Sequence, residues 1–337
     1  MNTVAFPHLG LEFTLNKVAF SVFGLDIMWY AVLITIGFAI AIGYGLSRMK
    51  TFGLDSDRAM DAILVGIVGG IVGARIYFVA FSWESYKDNL ALIFSTREGG
   101  LAIYGGIIGA LLLGGITCKI RKVKILPMFD ITVLGLLIGQ AIGRWGNFVN
   151  VEAYGSHTES LFGMTSSAII DGPVHPCFLY ESVWCIVGFI LLHLYVKRRK
   201  FDGELVLMYC MWYGFGRMLI EGLRTDSLYW GPFRVSQILS AVIMIAALII
   251  WLTIRSRIKR NNDPDYLPLY VTTQESKELL RLAEEKNQRN PKEEAFLENT
   301  MEEGVEKLDA QKLQKMNLEE EQLLNEEGEH RQDGEDH

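Results

Sequence analysis

Apolar positions in this chain fall into long unbroken blocks, without the alternation of a half-buried strand or the narrow stripe of a surface helix. Seven blocks stand out, at 21–46, 59–80, 99–117, 126–143, 178–196, 203–220 and 236–254. Each has about the length a helix needs to cross ~30 Å of hydrocarbon. One such block could be a buried core helix. Seven in series predict an all-α integral membrane protein with seven transmembrane helices, because only helices and closed barrels satisfy their own backbone hydrogen bonds in lipid. A barrel is excluded because the blocks do not alternate apolar with polar. The first twenty residues carry no basic leader and no small-residue cleavage site, so the first block is expected to stay.

Charge adds an orientation. One set of connections holds 15 Lys and Arg residues, among them Arg48, Lys124, Arg199 and Arg255, and the alternate set holds 6. The positive-inside rule then predicts the N-terminus outside and the C-terminus in the cytoplasm. Charge also divides the chain. Residues 261–337 carry 22 acidic and 9 basic residues, a net of −13, against 17 acidic and 23 basic in the remainder. We expect a membrane domain over 1–260 and, over 261–337, an acidic cytoplasmic tail that is largely disordered or loosely helical. Nothing in the charge pattern supports a nucleic-acid partner. Cys118, Cys177, Cys185 and Cys210 have no paired or metal-ligand spacing and read as small apolar residues, and the six histidines form no metal cluster.

Glycines recur four apart inside the blocks, as in Gly66/Gly70, Gly69/Gly73, Gly105/Gly109 and Gly135/Gly139/Gly143. Small residues at this spacing let membrane helices approach closely, so most are expected to serve packing. Those beside polar residues, in REGGLAIYGGIIGA (97–110) and GRWGNFVNVEAYG (143–155), could instead leave room for a ligand.

Ionisable residues inside a span cost about 2.5–3.5 kcal/mol on insertion scales and need a reason. Arg75 interrupts the second block. Tyr213, Arg217, Glu221 and Arg224, spaced i, i+4, i+8 and i+11, fall on one helical face. Arg144, Asn147, Asn150 and Glu152 close the fourth block, and His175, Tyr180 and Glu181 open the fifth behind Pro176. Arginine–glutamate pairs that lock helices would explain one such residue. Four arginines gathered near the expected outer surface exceed what Glu152, Glu181 and Glu221 require, and the arginine fork suits phosphate oxygens. Two classes of function follow. One is an enzyme acting on a phospholipid head group, with arginines on the phosphate and a nearby acid or base moving a proton. The other is a transporter or scramblase for an anionic, phosphate-bearing substrate, which would more often show related halves with broken helices; no internal repeat is visible.

GRWGNFVNVEAYG closely resembles the signature of the prolipoprotein diacylglyceryl transferases, Gly-Arg-x-Gly-Asn-Phe-x-Asn-x-Glu-x-aromatic-Gly. GARIYF, REGGLAIYGGIIGA, HPCFLYE and YGFGRMLIEGLRTD resemble further family segments in the same order, so the likeness covers about residues 20–255. The resemblance implies a seven-helix, multi-pass enzyme of the bacterial cell membrane, and the charge count places its site toward the outer leaflet. It implies transfer of the diacylglyceryl group of phosphatidylglycerol to the lipobox cysteine of a preprolipoprotein signal peptide, without metal or cofactor. By motif, Arg144 and Arg217 would bind the lipid phosphate and stabilise the leaving group, and Asn147 and Glu152 would shape the same site. Tyr30, Gly155, Tyr213, Glu221 and Arg224 fall on family positions associated with activity, and Arg75 and His175 join them as candidate substrate contacts. Many members carry histidine where this chain has Tyr104. A phenol of ordinary pKa, about 10, is a poor base at neutral pH, so the base is Glu152, His175 or a Tyr104 activated by arginines.

Overall fold

The computed structural model describes residues 2–95, 99–170, 172–261, 263 and 266–288. Most of the expected acidic tail, 289–337, lies outside the described residues. The chain up to Leu280 forms one compact unit, built on helices α1 (Trp29–Arg48), α2 (Ser56–Phe81), α3 (Ile103–Ile120), α4 (Ile125–Asn150), α5 (Cys177–Tyr195), α6 (Glu204–Glu221) and α7 (Val235–Asn261). Six of these are long and apolar enough to cross a membrane by length and composition. They expose large side chains such as Val68, Ile71, Ile108, Leu112 and Ile249, as helices do when their solvent is hydrocarbon. The protein is therefore a multi-pass membrane protein. The seventh long helix, α6, carries Glu204, Arg217 and Glu221, which sets it apart from the six.

Three ends lie seven or eight residues from the expected ones, the start of α1 and the ends of α4 and α7 (Asn261), and the first two have a physical reason. The first block begins at residue 21, yet α1 begins at Trp29, because β3 (Val18–Val22) and β4 (Leu25–Met28) pair as a hairpin whose turn puts Phe23 and Gly24 at φ 49° and 77°. The fourth apolar block ends at Gly143, yet α4 continues through Asn150 and stops where Val151 turns left-handed at φ 54°. The polar signature is thus the last two turns of a helix. Its apolar side, with Phe148, packs under a small antiparallel sheet of β1 (Asn2–Phe6), β2 (Leu11–Leu15) and β5 (Thr165–Ser166), in a cluster with Val4, Phe6, Met164, Val174 and Phe178. We call this the sheet end of the unit.

At the opposite end, a second core joins Met49, Phe52 and Leu54 to Leu134, Leu137, Leu192 and Leu205. Residues that follow α7 close it. The Tyr270 amide donates to Asp202 at 2.7 Å, the Ser276 hydroxyl donates to the Gly53 carbonyl at 2.9 Å, and Lys124 pairs with Glu275 at 3.0 Å. Tyr270 and Ser276 are buried. Gly53, at φ 76°, is required here because a Cβ would lie 2.2 Å from the Ser276 hydroxyl. The helix α8 (Gln274–Gln288) runs on from this contact, with Arg281 and Glu285 paired at 3.2 Å one turn apart.

The helices α2 and α3 pack on each other along glycine faces. A Cβ on Gly73 would lie 2.4 Å from the Gly105 carbonyl oxygen, and one on Gly109 would lie 2.1 Å from that of Gly69. No side chain fits between these backbones, so the pair gains dispersion contact along its length, the expected use of small residues four apart.

Candidate active site

Three helices meet below the sheet end, and each brings one or more charges. The last turns of α4 bring Arg144 and Asn147. Tyr30, the second residue of α1, packs its ring against Gly146, where a Cβ would lie 2.4 Å from Tyr30 Cδ2. The glycine in this stretch therefore seats an aromatic ring beside Arg144. After the left-handed Val151 the chain folds back, so that Asn147 Nδ2 donates to Glu152 Oε1 at 2.9 Å and Asn150 Nδ2 donates to the same oxygen at 3.3 Å. Arg144 Nη1 donates to Asn147 Oδ1 at 3.4 Å, which links Arg144, Asn147 and Glu152 in one polar chain.

The helix α5 begins behind Pro176 and places Glu181 just over one turn in, buried at 3% exposure. Arg217, on α6, donates from Nη1 to Glu181 Oε1 at 2.5 Å and pairs from Nη2 with Glu221 Oε2 at 2.6 Å. Arg144 Nη2 touches Glu181 Oε2, and Arg224 Nη1 lies 3.8 Å from Glu181 Oε1. Three guanidinium groups from two helices and the following turn therefore converge on one buried carboxylate. Neither Glu181 Oε2 nor Glu221 Oε2 has an aligned hydrogen bond despite these contacts, so part of the attraction is Coulombic contact without the directional geometry of a forked pair. Arg224 also forks onto Asp226 at 2.8 and 2.7 Å, which holds the Asp226 carboxyl below the usual carboxylate range. A cavity of about 10 Å³, room for roughly one water, lies against Glu181, Tyr213, Gly216 and Arg217.

The charges are held in place by apolar and backbone devices. Trp184 on α5 and Trp212 on α6 stack at 4.2 Å, and each indole N–H donates to the other's backbone carbonyl at 3.0 Å. Each ring fills a notch left by a glycine on the facing helix: a Cβ on Gly216 would lie 2.2 Å from Trp184 Nε1, and one on Gly188 would lie 2.3 Å from Trp212 Nε1. This clasp fixes the register that sets Arg217 against Glu181. Between α4 and α5, the Trp145 indole donates to Ser182 Oγ at 3.2 Å, and that hydroxyl donates to the Ala141 carbonyl at 2.8 Å. Gly155 bridges the α4–α5 loop to the end of α6. Its amide donates to the His175 carbonyl at 2.9 Å, it pairs with Arg224 as an isolated bridge, and a Cβ would lie 2.7 Å from His175 Cβ.

A model of the prolipoprotein diacylglyceryl transferase family matches residues 17–253. This chain belongs to the prolipoprotein diacylglyceryl transferase family. A relative from Clostridioides difficile, named phosphatidylglycerol–prolipoprotein diacylglyceryl transferase, is 42% identical over 248 residues, 73% of this chain and 98% of the relative. Relatives of the same name from Finegoldia magna and Enterococcus faecalis are 43% and 45% identical over 251 and 247 residues, 74% and 70% of this chain and 100% and 89% of theirs. The tail is outside the matched family region.

Within this transferase-family chain, the structure brings together Arg144, Asn147, Glu152, Gly155, Tyr213, Arg217, Glu221 and Arg224, with Tyr30 packed alongside. It uses Arg75 differently. All five N–H groups of Arg75 donate to backbone carbonyls: Nε to Ile93 at 2.7 Å, Nη1 to Gly99 and Gly100 at 3.3 and 2.9 Å, and Nη2 to Leu92 and Ser95 at 2.7 and 2.6 Å. No donor remains for a phosphate. Tyr104, at the start of α3, is 52% exposed, and no hydrogen bond among the described residues joins it to the arginines. His175 meets the site through its backbone. Its ring Nδ1 lies 3.3 Å from the Tyr180 hydroxyl, and burial holds the imidazole below its ordinary pKa.

Sequence reasoning placed Glu181 among the acids available for pairing and missed that it is the common partner of three arginines. The signal was present, because a carboxylate early in an apolar span needs cations, but its partners depend on which helices adjoin. The tryptophan clasp was missed as well. Trp184 and Gly188, and Trp212 and Gly216, stand four apart on their helices, a spacing that reads as ordinary helix packing until the two helices are seen face to face.

Proposed function

We propose that this protein transfers the diacylglyceryl group of phosphatidylglycerol to the lipobox cysteine of a preprolipoprotein signal peptide. Its relatives' names state the lipid and the prolipoprotein, and the observation that carries the reading here is the set of three arginines around Glu181. In the reaction the cysteine thiol gives up its proton, and its sulfur forms a bond to the glycerol carbon that bears the phosphate. The bond between that carbon and the phosphate oxygen breaks, and glycerol phosphate leaves with the electron pair. Arg144 and Arg217 hold the phosphate and stabilise the charge that grows on it, the kind of preorganised stabilisation that contributes most to many enzymes' rate enhancement. Arg224, Tyr213 and Glu221 complete the wall, and Tyr30, Asn147 and Gly155 shape the site around the lipid. Glu152, held by two asparagine amides and linked through Asn147 to Arg144, is the base we assign to the thiol.

In this reading α6 is the seventh transmembrane helix, with Arg217 and Glu221 facing the site and Glu204 paired with Arg255 at the helix's other end. The lysine and arginine bias of the connections supports an N-terminus outside, a C-terminus in the cytoplasm and a site open to the outer leaflet. The decisive experiment incubates the purified protein with phosphatidylglycerol and a lipobox peptide and weighs the peptide. Addition of a diacylglyceryl mass to the cysteine supports the transferase. Lipid scrambling between leaflets without adduct would contradict it and support a transporter.

A further inference from the structure

The lipid substrate and the soluble product of the proposed reaction carry different charges. The phosphodiester of phosphatidylglycerol carries a single negative charge. Glycerol phosphate is a monoester with a second pKa of about 6, so at neutral pH it carries about −1.5 to −2. A pocket of bare arginines would bind the product more tightly than the substrate, because attraction grows with ligand charge. Turnover would then stall on release.

The structure holds a group suited to prevent this. Glu181 is 3% exposed and has arginines on both carboxylate oxygens, Arg144 on one and Arg217 with Arg224 on the other. The arginine side chains around it keep 13–22% of their own surface, so the cluster is not sealed, and Glu181 already neutralises it in part. Glu181 Oε2 lacks an aligned hydrogen bond to Arg144, which leaves this contact easier to exchange than a forked pair such as Arg224–Asp226. The backbone that carries this carboxylate is held in place, because α5 is locked to α6 by the tryptophan clasp and to α4 by the Trp145–Ser182 bond.

We propose that Glu181 is a built-in competitor for the phosphate, a positioning residue that arrays the three arginines for a singly charged phosphodiester and expels the more highly charged glycerol phosphate. The proposal rests on the transferase reading for the identity of the product. Its physical core, competition between a fixed carboxylate and a phosphate for the same arginines, does not require turnover.

The test is direct binding of glycerol phosphate, and separately of inorganic phosphate, to the full-length protein in detergent or lipid nanodiscs, measured by titration calorimetry. Glu181→Gln should bind both anions about ten-fold or more tightly than wild type, since one opposing charge is removed a few ångströms from the ligand. With phosphatidylglycerol and peptide, the same variant should show a first turnover followed by a slow steady state that added glycerol phosphate slows further. A merely structural Glu181 would give the reverse, weaker anion binding with loss of the clasped geometry. Should the Gln variant fail to fold, Glu181→Asp supplies the second arm: a shorter carboxylate reaches the arginines less well, so anion affinity should rise by a smaller factor. Anion affinity equal to or weaker than wild type in a folded Gln or Asp variant overturns the proposal. A wild-type protein that binds glycerol phosphate but makes no adduct would sink the transferase reading and leave the competition to be judged by the binding arm alone.

Discussion

Two regions near the sheet end bury arginine in different company. On the α2–α3 pair, Arg75 gives all five of its N–H groups to neutral carbonyls between Leu92 and Gly100. Where α4, α5 and α6 meet, Arg144, Arg217 and Arg224 face carboxylates, and Arg144 makes one long hydrogen bond to Asn147 beside its ion contact with Glu181. The first arginine is saturated by backbone and fastens a loop. The second group is balanced by carboxylate charge. Arg75, at 8% exposure, is the more hidden, while the side chains of the other three keep 13–22%; the chemistry of the partner sets them further apart.

The comparison can be broken at several points. The largest effect is expected from Arg144→Ala or Arg217→Ala, each of which should lower diacylglyceryl transfer by about 10²–10³-fold or more, as loss of a transition-state donor does elsewhere, while the protein stays folded and membrane-inserted. Adduct formation by mass spectrometry and thermal unfolding in detergent read the two halves of that statement. Next comes Gly216→Ala, whose new methyl would meet the Trp184 indole. Overpacking of this kind costs roughly 1–3 kcal/mol, and because it moves Arg217 against Glu181 it should cut turnover as well as the melting temperature. Gly73→Ala, its counterpart on α2, should lower the melting temperature with turnover per folded molecule retained.

Arg75→Ala sharpens the contrast. It leaves five carbonyls without their donor, so limited proteolysis should cut sooner between residues 90 and 100, and KM for phosphatidylglycerol should change far less than in Arg144→Ala. A KM rise that matched Arg144→Ala would erase the distinction between the two regions. The smallest effect is expected from Tyr104→Phe, which removes a half-exposed hydroxyl that has no bonded partner among the described residues; turnover should stay within about two-fold, because a surface change away from packed or paired groups costs little.

Much of this was legible in the residues. Long apolar blocks located all seven helices, with three ends off by seven or eight residues, since hydrocarbon thickness bounds their length, and the i, i+4, i+8, i+11 spacing on α6 announced a charged face. The start of α1 was less legible, because the β3–β4 hairpin is as apolar as the helix that follows it and hydropathy cannot tell them apart. The helical course of Arg144–Asn150 was hidden by its polarity, which reads as a loop until the supporting contacts of Phe148 and Trp145 are known. Arg75 and Arg217 were alike in sequence, both arginines in apolar helices, and diverged only through tertiary partners. Tyr270 and Ser276 gave no sign of burial, since the groove they fill is made by Gly53 and Asp202, far away in the chain.

The central claim is that the arginines around Glu181 hold the lipid phosphate, and the most direct measurement is adduct formation by Arg144→Ala beside Arg75→Ala, at equal folded concentration, over a range of phosphatidylglycerol. Arg144→Ala is expected to lose about 10²–10³-fold or more of the transfer at every lipid concentration, while Arg75→Ala saturates near the wild-type KM. Wild-type turnover by Arg144→Ala would contradict it and remove the cluster from the reaction.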